Sequence, residues 1–196
     1  MGILNVTPDS FSDGGNYLVA DHALEHAARM VEEGAAIIDV GGESTRPGAG
    51  AVSVEEELRR VIPVIKALNA ALDVPVSIDT RKPEVMQAAV VAGAGLINDV
   101  TALQAPGAVE LAAQLGVPVC LMHMQGTPES MQDQPTYENV VTEVKGFLLE
   151  RAEACMQHGI DREKILLDPG FGFGKTTAHN LQLLQQLEQL VEAGFP

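Results

Sequence analysis

A regular alternation of short apolar runs with longer helical stretches, repeated six times along the 196 residues, constrains the fold most strongly. Each apolar run is too short for a helix, suits a buried strand, and gives way to a polar or glycine-rich loop. Strands that alternate with helices indicate a parallel sheet with right-handed crossovers. The polar residues that end the runs are Asn5, Asp39, Asp79, Asn98, His123 and Asp168.

Two α/β architectures fit this alternation, an open doubly wound sheet and a closed (β/α)₈ TIM barrel. Polar residues at every strand end favour the barrel, because all of its βα loops open at the same end. An open sheet concentrates its functional residues at one switch point instead. A barrel needs eight units and six are found, so we expect residues 1–196 to form a single barrel domain truncated before strands 7 and 8.

Composition limits the function classes. The chain has 12 basic and 27 acidic residues, a formal net charge of −15, which disfavours nucleic acid and anionic membranes as partners. An anionic substrate would then need a local basic or metal-containing pocket. The two cysteines are distant in sequence and no basic-then-apolar leader is present, so we expect a cytoplasmic protein.

Two short motifs suggest other chemistry, and neither is favoured. Gly174-Lys175-Thr176 resembles the end of a phosphate-binding loop, but residue 169 is a proline where that loop requires glycine. His22 and His26 match an H-x-x-E-H zinc motif, yet both lie away from the apolar stripe of their predicted helix. A solvated helix face explains the two histidines better than a metal site does.

The carboxylates at the strand ends are the better candidates for function. A charged side chain that ends a buried strand needs a partner or a ligand, since burying an unpaired charge is costly. One of Asp39, Asp79 and Asp168 could simply hold a neighbouring loop in place. Asp79, Asn98 and Asp168 together suit a flat heterocycle with a guanidine-like edge, which a carboxylate can bind through two hydrogen bonds.

The loops carry six ordered motifs that cover the whole chain, and in them the sequence resembles the dihydropteroate synthases, the sulfonamide targets of folate synthesis. The first motif is the Asn-Val-Thr-Pro-Asp-Ser-Phe-Ser-Asp-Gly-Gly of residues 5–15, and the second is the Asp-Val-Gly-Gly-Glu-Ser-Thr-Arg-Pro-Gly of residues 39–48. The others lie at residues 77–80, 97–99, 121–124 and 167–175.

This resemblance implies a (β/α)₈ barrel, a homodimer, and a transferase that joins p-aminobenzoate to 6-hydroxymethyl-7,8-dihydropterin pyrophosphate. It implies that Asp79, Asn98 and Asp168 bind the pterin edge, and that Asn5 binds a Mg²⁺ ion holding the pyrophosphate. The residues implied to line the pterin slot are Met122, Gly172 and Phe173.

The resemblance also assigns roles to the first two loops. Thr45 is expected near the phosphate region of the pterin substrate. Arg46, Pro47 and Phe11 are expected on mobile loops that close around p-aminobenzoate. Asp13 is expected to bring a further charge close to the reacting carbon, which makes Asp13 and Arg46 the candidate catalytic residues.

Two motifs of the family are not found in residues 1–196, the Ser-Arg-Lys of its seventh strand and the Arg-x-His of its eighth. We therefore expect this piece to be inactive alone, although the parent protein is expected to be an enzyme. Three alternatives remain: a methyltetrahydrofolate-type pterin methyltransferase, a non-catalytic pterin-binding module, and a nucleotide-binding protein that uses Gly174 and Lys175.

Overall fold

A computed structural model describes residues 1–6, 16–44, 50–127 and 130–196, with residues 16–19 described by their backbone alone. The chain divides into two compact units, one made of Met1–Ser44 and Ala51–Asn98 and the other containing Asp99–Pro196. Within the described ranges, no helix has the length and apolar character needed to cross a membrane.

The first unit alternates strands and helices as the sequence predicts. Its strands are parallel, and neighbours in sequence are hydrogen-bonded to each other. The elements are β1 (Gly2–Asn5), α1 (Asn16–Glu32), β2 (Ile38–Gly41), α2 (Val54–Ala71), β3 (Val76–Asp79), α3 (Pro83–Val91) and β4 (Leu96–Asp99), whose last residue begins the second unit.

Side chains alternate between the two faces of these strands, which separates the core from the polar residues. Leu4, Val40 and Ile78 share one register row and are fully buried. Helix α2 packs against β2 and β3 and also contacts α1 and α3. The residues that follow these three core positions lie on the opposite face of the strands. The buried apolar side chains therefore fix the position of the strand ends.

Two helix starts show where local signals succeed and fail. Ser53 and Glu56 have the spacing that predicts a capping box at the start of α2, and only half of it forms. Ser53 accepts a hydrogen bond from the Glu56 amide at 3.2 Å, while the Glu56 carboxylate pairs with arginines. Asp21 is a residue type typical of a helix cap, and the sequence predicts that α1 begins there, but this prediction is wrong. The helix begins at Asn16, and Asp21 is an exposed residue within it.

The second unit continues the alternation, and its two strands β5 and β6 are parallel. Leu121, Leu148, Ile165 and Leu183 are fully buried in its core. The sequence predicts one last helix over about residues 178–191, but the structure interrupts it at Gln186. The elements are α4 (Ala108–Leu115), β5 (Val119–Met122), α5 (Val140–Gln157), a 3₁₀ turn (Arg162–Lys164), β6 (Ile165–Asp168), α6 (Thr177–Gln185) and α7 (Glu188–Val191).

A strained turn follows β4. Ala102 and Leu103 have φ angles of +55° and +57°, a left-handed conformation that costs non-glycine residues about 1–2 kcal/mol each. The Asp99 carboxylate accepts the Leu103 amide at 2.9 Å. Arg151, on α5, donates to the carbonyl oxygens of Ala102 and Leu103, both at 2.8 Å. Hydrogen bonds from both sides therefore stabilise a backbone shape that the sequence disfavours locally.

Candidate functional site

Three predicted site residues lie on one register row of the first unit. Asn5 pairs with Gly41, Gly41 with Asp79, and Asp79 with Asn98, so the carboxyl ends of four adjacent strands are level. A Cβ atom built on Gly41 would lie 3.4 Å from Asp79 Oδ2 and 3.5 Å from Asn5 Oδ1. Because Gly41 has no side chain, the space between these two side-chain oxygen atoms on the same register row stays open.

Asp39 lies two register rows below Gly41, on the same face of β2, and is 3% exposed. Its Oδ2 accepts a hydrogen bond from Asn98 Nδ2 at 3.0 Å. Burial raises the pKa of Asp39, an effect partly offset by Ser77 and Asn98. Neither Asp39 Oδ1 nor Ser77 Oγ has a hydrogen-bond partner of normal geometry among the described residues, although the Ser77 hydroxyl lies near enough to lower that pKa. The prediction that Asp39 ends its strand is wrong, because β2 continues to Gly41, and its partner Asn98 could not be predicted from the sequence.

An ion cluster, which we define as Glu43, Glu57, Arg81 and Lys82, joins the segments that follow β2 and β3. Lys82 Nζ bonds to one carboxylate oxygen of Glu43 and one of Glu57, and Arg81 donates to Glu43 at 2.8 Å. Thr80 Oγ1 donates to Glu57 Oε1 at 2.6 Å. Burial raises the pKa of Glu43, but its two cationic partners outweigh burial and hold that pKa below the usual value.

The ion cluster could have been predicted from the position of Glu57 in the sequence. Glu57 is fully buried, and it lies four residues before Val61 and eight before Ile65, on the apolar stripe of α2. A glutamate on such a stripe needs a buried cation or donor. Lys82 and Thr80 supply both, from a segment distant in sequence.

In the second unit, β5 and β6 place Met122 directly opposite Asp168, two further predicted site residues. Asp168 Oδ1 accepts the Gly170 amide at 2.7 Å. Gly170 has φ +64°, and a Cβ atom there would lie 2.1 Å from the carbonyl oxygen of His123. Only glycine fits this position, so the Asp168 loop lies tightly against the end of β5.

Lys175 holds this loop closed by hydrogen bonds to its backbone carbonyl groups. Its Nζ lies 2.8 Å from Gly170 O, 2.9 Å from Phe173 O, and 3.1 and 3.0 Å from His123 O and Nδ1. Lys175 is 3% exposed, and burial lowers its pKa to about 8. The ammonium has only three N–H donors, so these contacts occupy it fully. From the sequence, Lys175 is considered only as a possible phosphate ligand, and its bonds within the protein are not predicted.

His123 is expected to make the protein sensitive to acid. Burial, and secondly the charge of Lys175, lower the pKa of His123 to about 4 from an ordinary value near 6.5. Between these values the unfolded chain binds more protons than the folded one, so this contribution to stability is lost as pH falls from about 6.5 towards 4. We expect His123→Gln to lose less unfolding free energy than the wild type between pH 7.5 and pH 5 in urea titrations; parallel losses would contradict this.

The remaining predicted residues lie in the loop after β6, on helix α1, or outside the described ranges. Gly172 is exposed and Phe173 half-buried, both in the loop that Lys175 closes. Among the described residues, no cluster of three or more His, Cys, Asp or Glu is arranged to hold a metal ion, and His22 and His26 are exposed as expected. The predicted residues that lie outside the described ranges are Phe11, Asp13, Thr45, Arg46 and Pro47.

The chain is similar to known proteins over its whole length. A family model described as pterin binding enzyme matches residues 1–196. The dihydropteroate synthase of Escherichia coli K12 is 55% identical over 196 residues, which are all of this chain and 70% of that protein.

Two solved structures of Xanthomonas albilineans dihydropteroate synthase superpose along the whole chain. The complex with 4-aminobenzoic acid has a TM-score of 0.92 at 60% identity, with 70% of that chain covered. The complex with 7,8-dihydropteroate has a TM-score of 0.87 at 55% identity, with 69% covered. The likeness confirms the predicted (β/α)₈ barrel class, of which this chain contains six β/α units. The chain therefore belongs to the pterin-binding enzyme family and, within it, to the dihydropteroate synthases.

Proposed function

We propose that this chain is the pterin-binding barrel domain of an enzyme that condenses 6-hydroxymethyl-7,8-dihydropterin pyrophosphate with p-aminobenzoate. The bond between the pterin methylene carbon and the pyrophosphate oxygen breaks, and pyrophosphate leaves with the electron pair. The aniline nitrogen bonds to the methylene carbon and loses a proton, which gives 7,8-dihydropteroate. The whole-chain identity to E. coli dihydropteroate synthase, and the 4-aminobenzoic acid and 7,8-dihydropteroate held by the X. albilineans enzyme, support this activity.

The level row of strand ends in the first unit is the observation that best supports pterin binding. Asp79 and Asn98 are direct neighbours on that row, so a carboxylate and an amide are presented side by side. We assign both to the N–H-rich edge of the pterin, because an ionised carboxylate forms strong paired hydrogen bonds with such an edge. In the second unit we propose that Asp168, Met122, Gly172 and Phe173 take the pterin-binding roles that the family resemblance implies.

The residues of the first unit also suit the Mg²⁺ ion that the family resemblance implies. Asn5 Oδ1 and Asp79 Oδ2 both border the position that a Cβ atom on Gly41 would occupy. Magnesium prefers oxygen ligands of this kind. We propose Asn5 as its ligand. When bound, the ion would offset the charge of the departing pyrophosphate. Asp13, Thr45, Arg46, Pro47 and Phe11 keep the roles that the resemblance implies.

Carboxylates near the pterin would favour departure of pyrophosphate before nitrogen attack, because they stabilise positive charge on the methylene carbon. The test is rapid-quench measurement of pyrophosphate release by the full-length protein with and without p-aminobenzoate. Release followed by formation of dihydropteroate supports the proposal. Methyl transfer from a methylated pterin, or pterin binding without turnover, would contradict it. Absence of release without p-aminobenzoate would contradict only the order of steps.

Asp79→Asn is expected to weaken pterin binding. The substitution removes the charge and turns one acceptor into an N–H donor that faces the donors of the pterin edge. Loss of a charge-assisted hydrogen bond corresponds to about a 10- to 100-fold rise in KM for the pterin substrate. The KM for p-aminobenzoate should change far less. Asp73→Asn, an exposed aspartate three residues before β3, is the matched control and should behave as wild type.

We further propose a cytoplasmic location, which the cysteine usage favours, and a homodimeric full-length protein, which the family resemblance implies. Analytical ultracentrifugation of the full-length protein tests the second point. A sedimentation coefficient that fits a single copy across micromolar concentrations would reject it.

A further inference from the structure

Asp39 is a buried charge that the proposed reaction does not use. It lies on β2 two residues before Gly41, on the same face of the strand, and its register neighbours are Ile3 and Ser77. Because it is 3% exposed and two register rows below the strand ends, a ligand at those ends would not reach it. Burial of a carboxylate is costly, so its retention in this row calls for a partner.

The partner is Asn98. The Asp39 Oδ2 to Asn98 Nδ2 distance of 3.0 Å joins β2 to β4 across β3. An ionised carboxylate can only accept hydrogen bonds, so the amide of Asn98 has to direct its NH₂ group towards Asp39. The carbonyl oxygen of the same amide is then turned away from Asp39. One hydrogen bond thus fixes which end of the Asn98 side chain remains for a ligand.

We propose that Asp39 is a positioning residue that holds the Asn98 amide in one orientation, so that Asn98 Oδ1 accepts a hydrogen bond from an N–H group of the pterin. This inference rests on the proposed role of Asn98 in pterin binding. Without Asp39 the amide can flip and present NH₂ to an N–H donor, which removes an attraction and creates a repulsion. The contribution of Asp39 to pterin affinity therefore passes through Asn98.

That dependence is measurable with a double-mutant cycle in the full-length protein. The probe is 6-hydroxymethyl-7,8-dihydropterin, the alcohol without a leaving group, and the readout is its Kd by calorimetry. Asp39→Leu should weaken binding about 10-fold, and Asn98→Ala at least as much. The double variant Asp39→Leu/Asn98→Ala should bind no more than about twofold more weakly than Asn98→Ala, since no amide remains to be oriented. A merely structural effect of Asp39 would instead multiply with that of Asn98→Ala.

Two further variants keep the test decisive. Asp39→Asn preserves volume and can still offer a carbonyl oxygen to Asn98, so it should lose only a few-fold in affinity, and it replaces the leucine variant in the cycle if that variant does not fold. Ser77→Ala removes a buried hydroxyl beside Asp39 that does not bond to Asn98, and should change Kd less than twofold.

The outcomes separate this inference from the assignment on which it rests. If Asn98→Ala binds the pterin as the wild type does, both the assignment of Asn98 and the role of Asp39 are wrong. If Asn98→Ala binds weakly while Asp39→Leu binds normally, or if the two effects multiply, only the positioning role is wrong.

Discussion

Lys175→Met is expected to lower the unfolding free energy by about 3 kcal/mol, because buried carbonyl groups that lose their donor pay most of a desolvation penalty. The Lys175 ammonium bonds to the carbonyl oxygens of His123, Gly170 and Phe173, and methionine can bond to none of them. For a chain of this length the melting temperature should fall by roughly 8 °C. Pterin affinity should fall as well, since these bonds fix the loop that follows Asp168.

The matched control is Lys164→Met, which removes a single hydrogen bond to the Gly116 carbonyl and should cost about 1 kcal/mol or less. Urea unfolding of wild type and both variants provides the comparison. The stability difference between wild type and Lys175→Met is also expected to depend on pH. The pKa of Lys175 is about 8 in the folded chain and near 10.4 when unfolded, so the unfolded chain binds more protons between these values. The advantage of wild type over Lys175→Met should therefore widen from pH 8 to pH 10. Equal effects of the two methionine variants would refute the role of Lys175.

Glu57→Ala should be still more destabilising, by about 3–5 kcal/mol, because it removes the fully buried acceptor of the Thr80 hydroxyl and leaves the half-buried Lys82 ammonium with one carboxylate partner in place of two. The corresponding fall in melting temperature is roughly 10 °C. Glu57 is fully buried and belongs to an ion cluster of two acids and two bases, so its removal also leaves a net positive charge within the cluster.

Glu56→Ala is the control, since it makes the same substitution one residue earlier in the same helix. Glu56 pairs on the surface with Arg59 and Arg60, and surface ion pairs of this kind contribute little to stability. Differential scanning calorimetry should show a melting temperature close to that of wild type for Glu56→Ala. Similar melting temperatures for the two alanine variants would contradict the structural importance of the ion cluster.

The order of elements and the polar strand ends could be predicted because they depend on local chemistry. Apolar runs too short for helices form strands. Proline is typical of a helix start and glycine of a helix end, and Pro83 begins α3 while Gly116 ends α4. The start of α1 could not be predicted this way. Asp21 has the chemistry of a cap, but the chain is already helical five residues earlier, so its carboxylate faces solvent.

The internal partners of the site could not be predicted because they depend on register and on contacts between distant residues. Asp39 and Asn98 are 59 residues apart, and their hydrogen bond follows from the alignment of β2, β3 and β4. Lys175 and His123 are 52 residues apart. In the sequence Lys175 follows a glycine and precedes a threonine, which suggests a phosphate ligand. Only its burial shows that carbonyl groups of the protein occupy the ammonium.

The left-handed turn at Ala102 and Leu103 has a consequence for synthesis of the chain on the ribosome. Arg151, which bonds to the carbonyl oxygens of both residues, is added 48 residues after Leu103. A nascent chain that ends before α5 contains every atom of the turn but lacks this guanidinium. Since both residues disfavour the conformation, we expect the turn after Asn98 to rely on the Asp99 carboxylate, and to be less stable, until α5 has emerged and packed during translation.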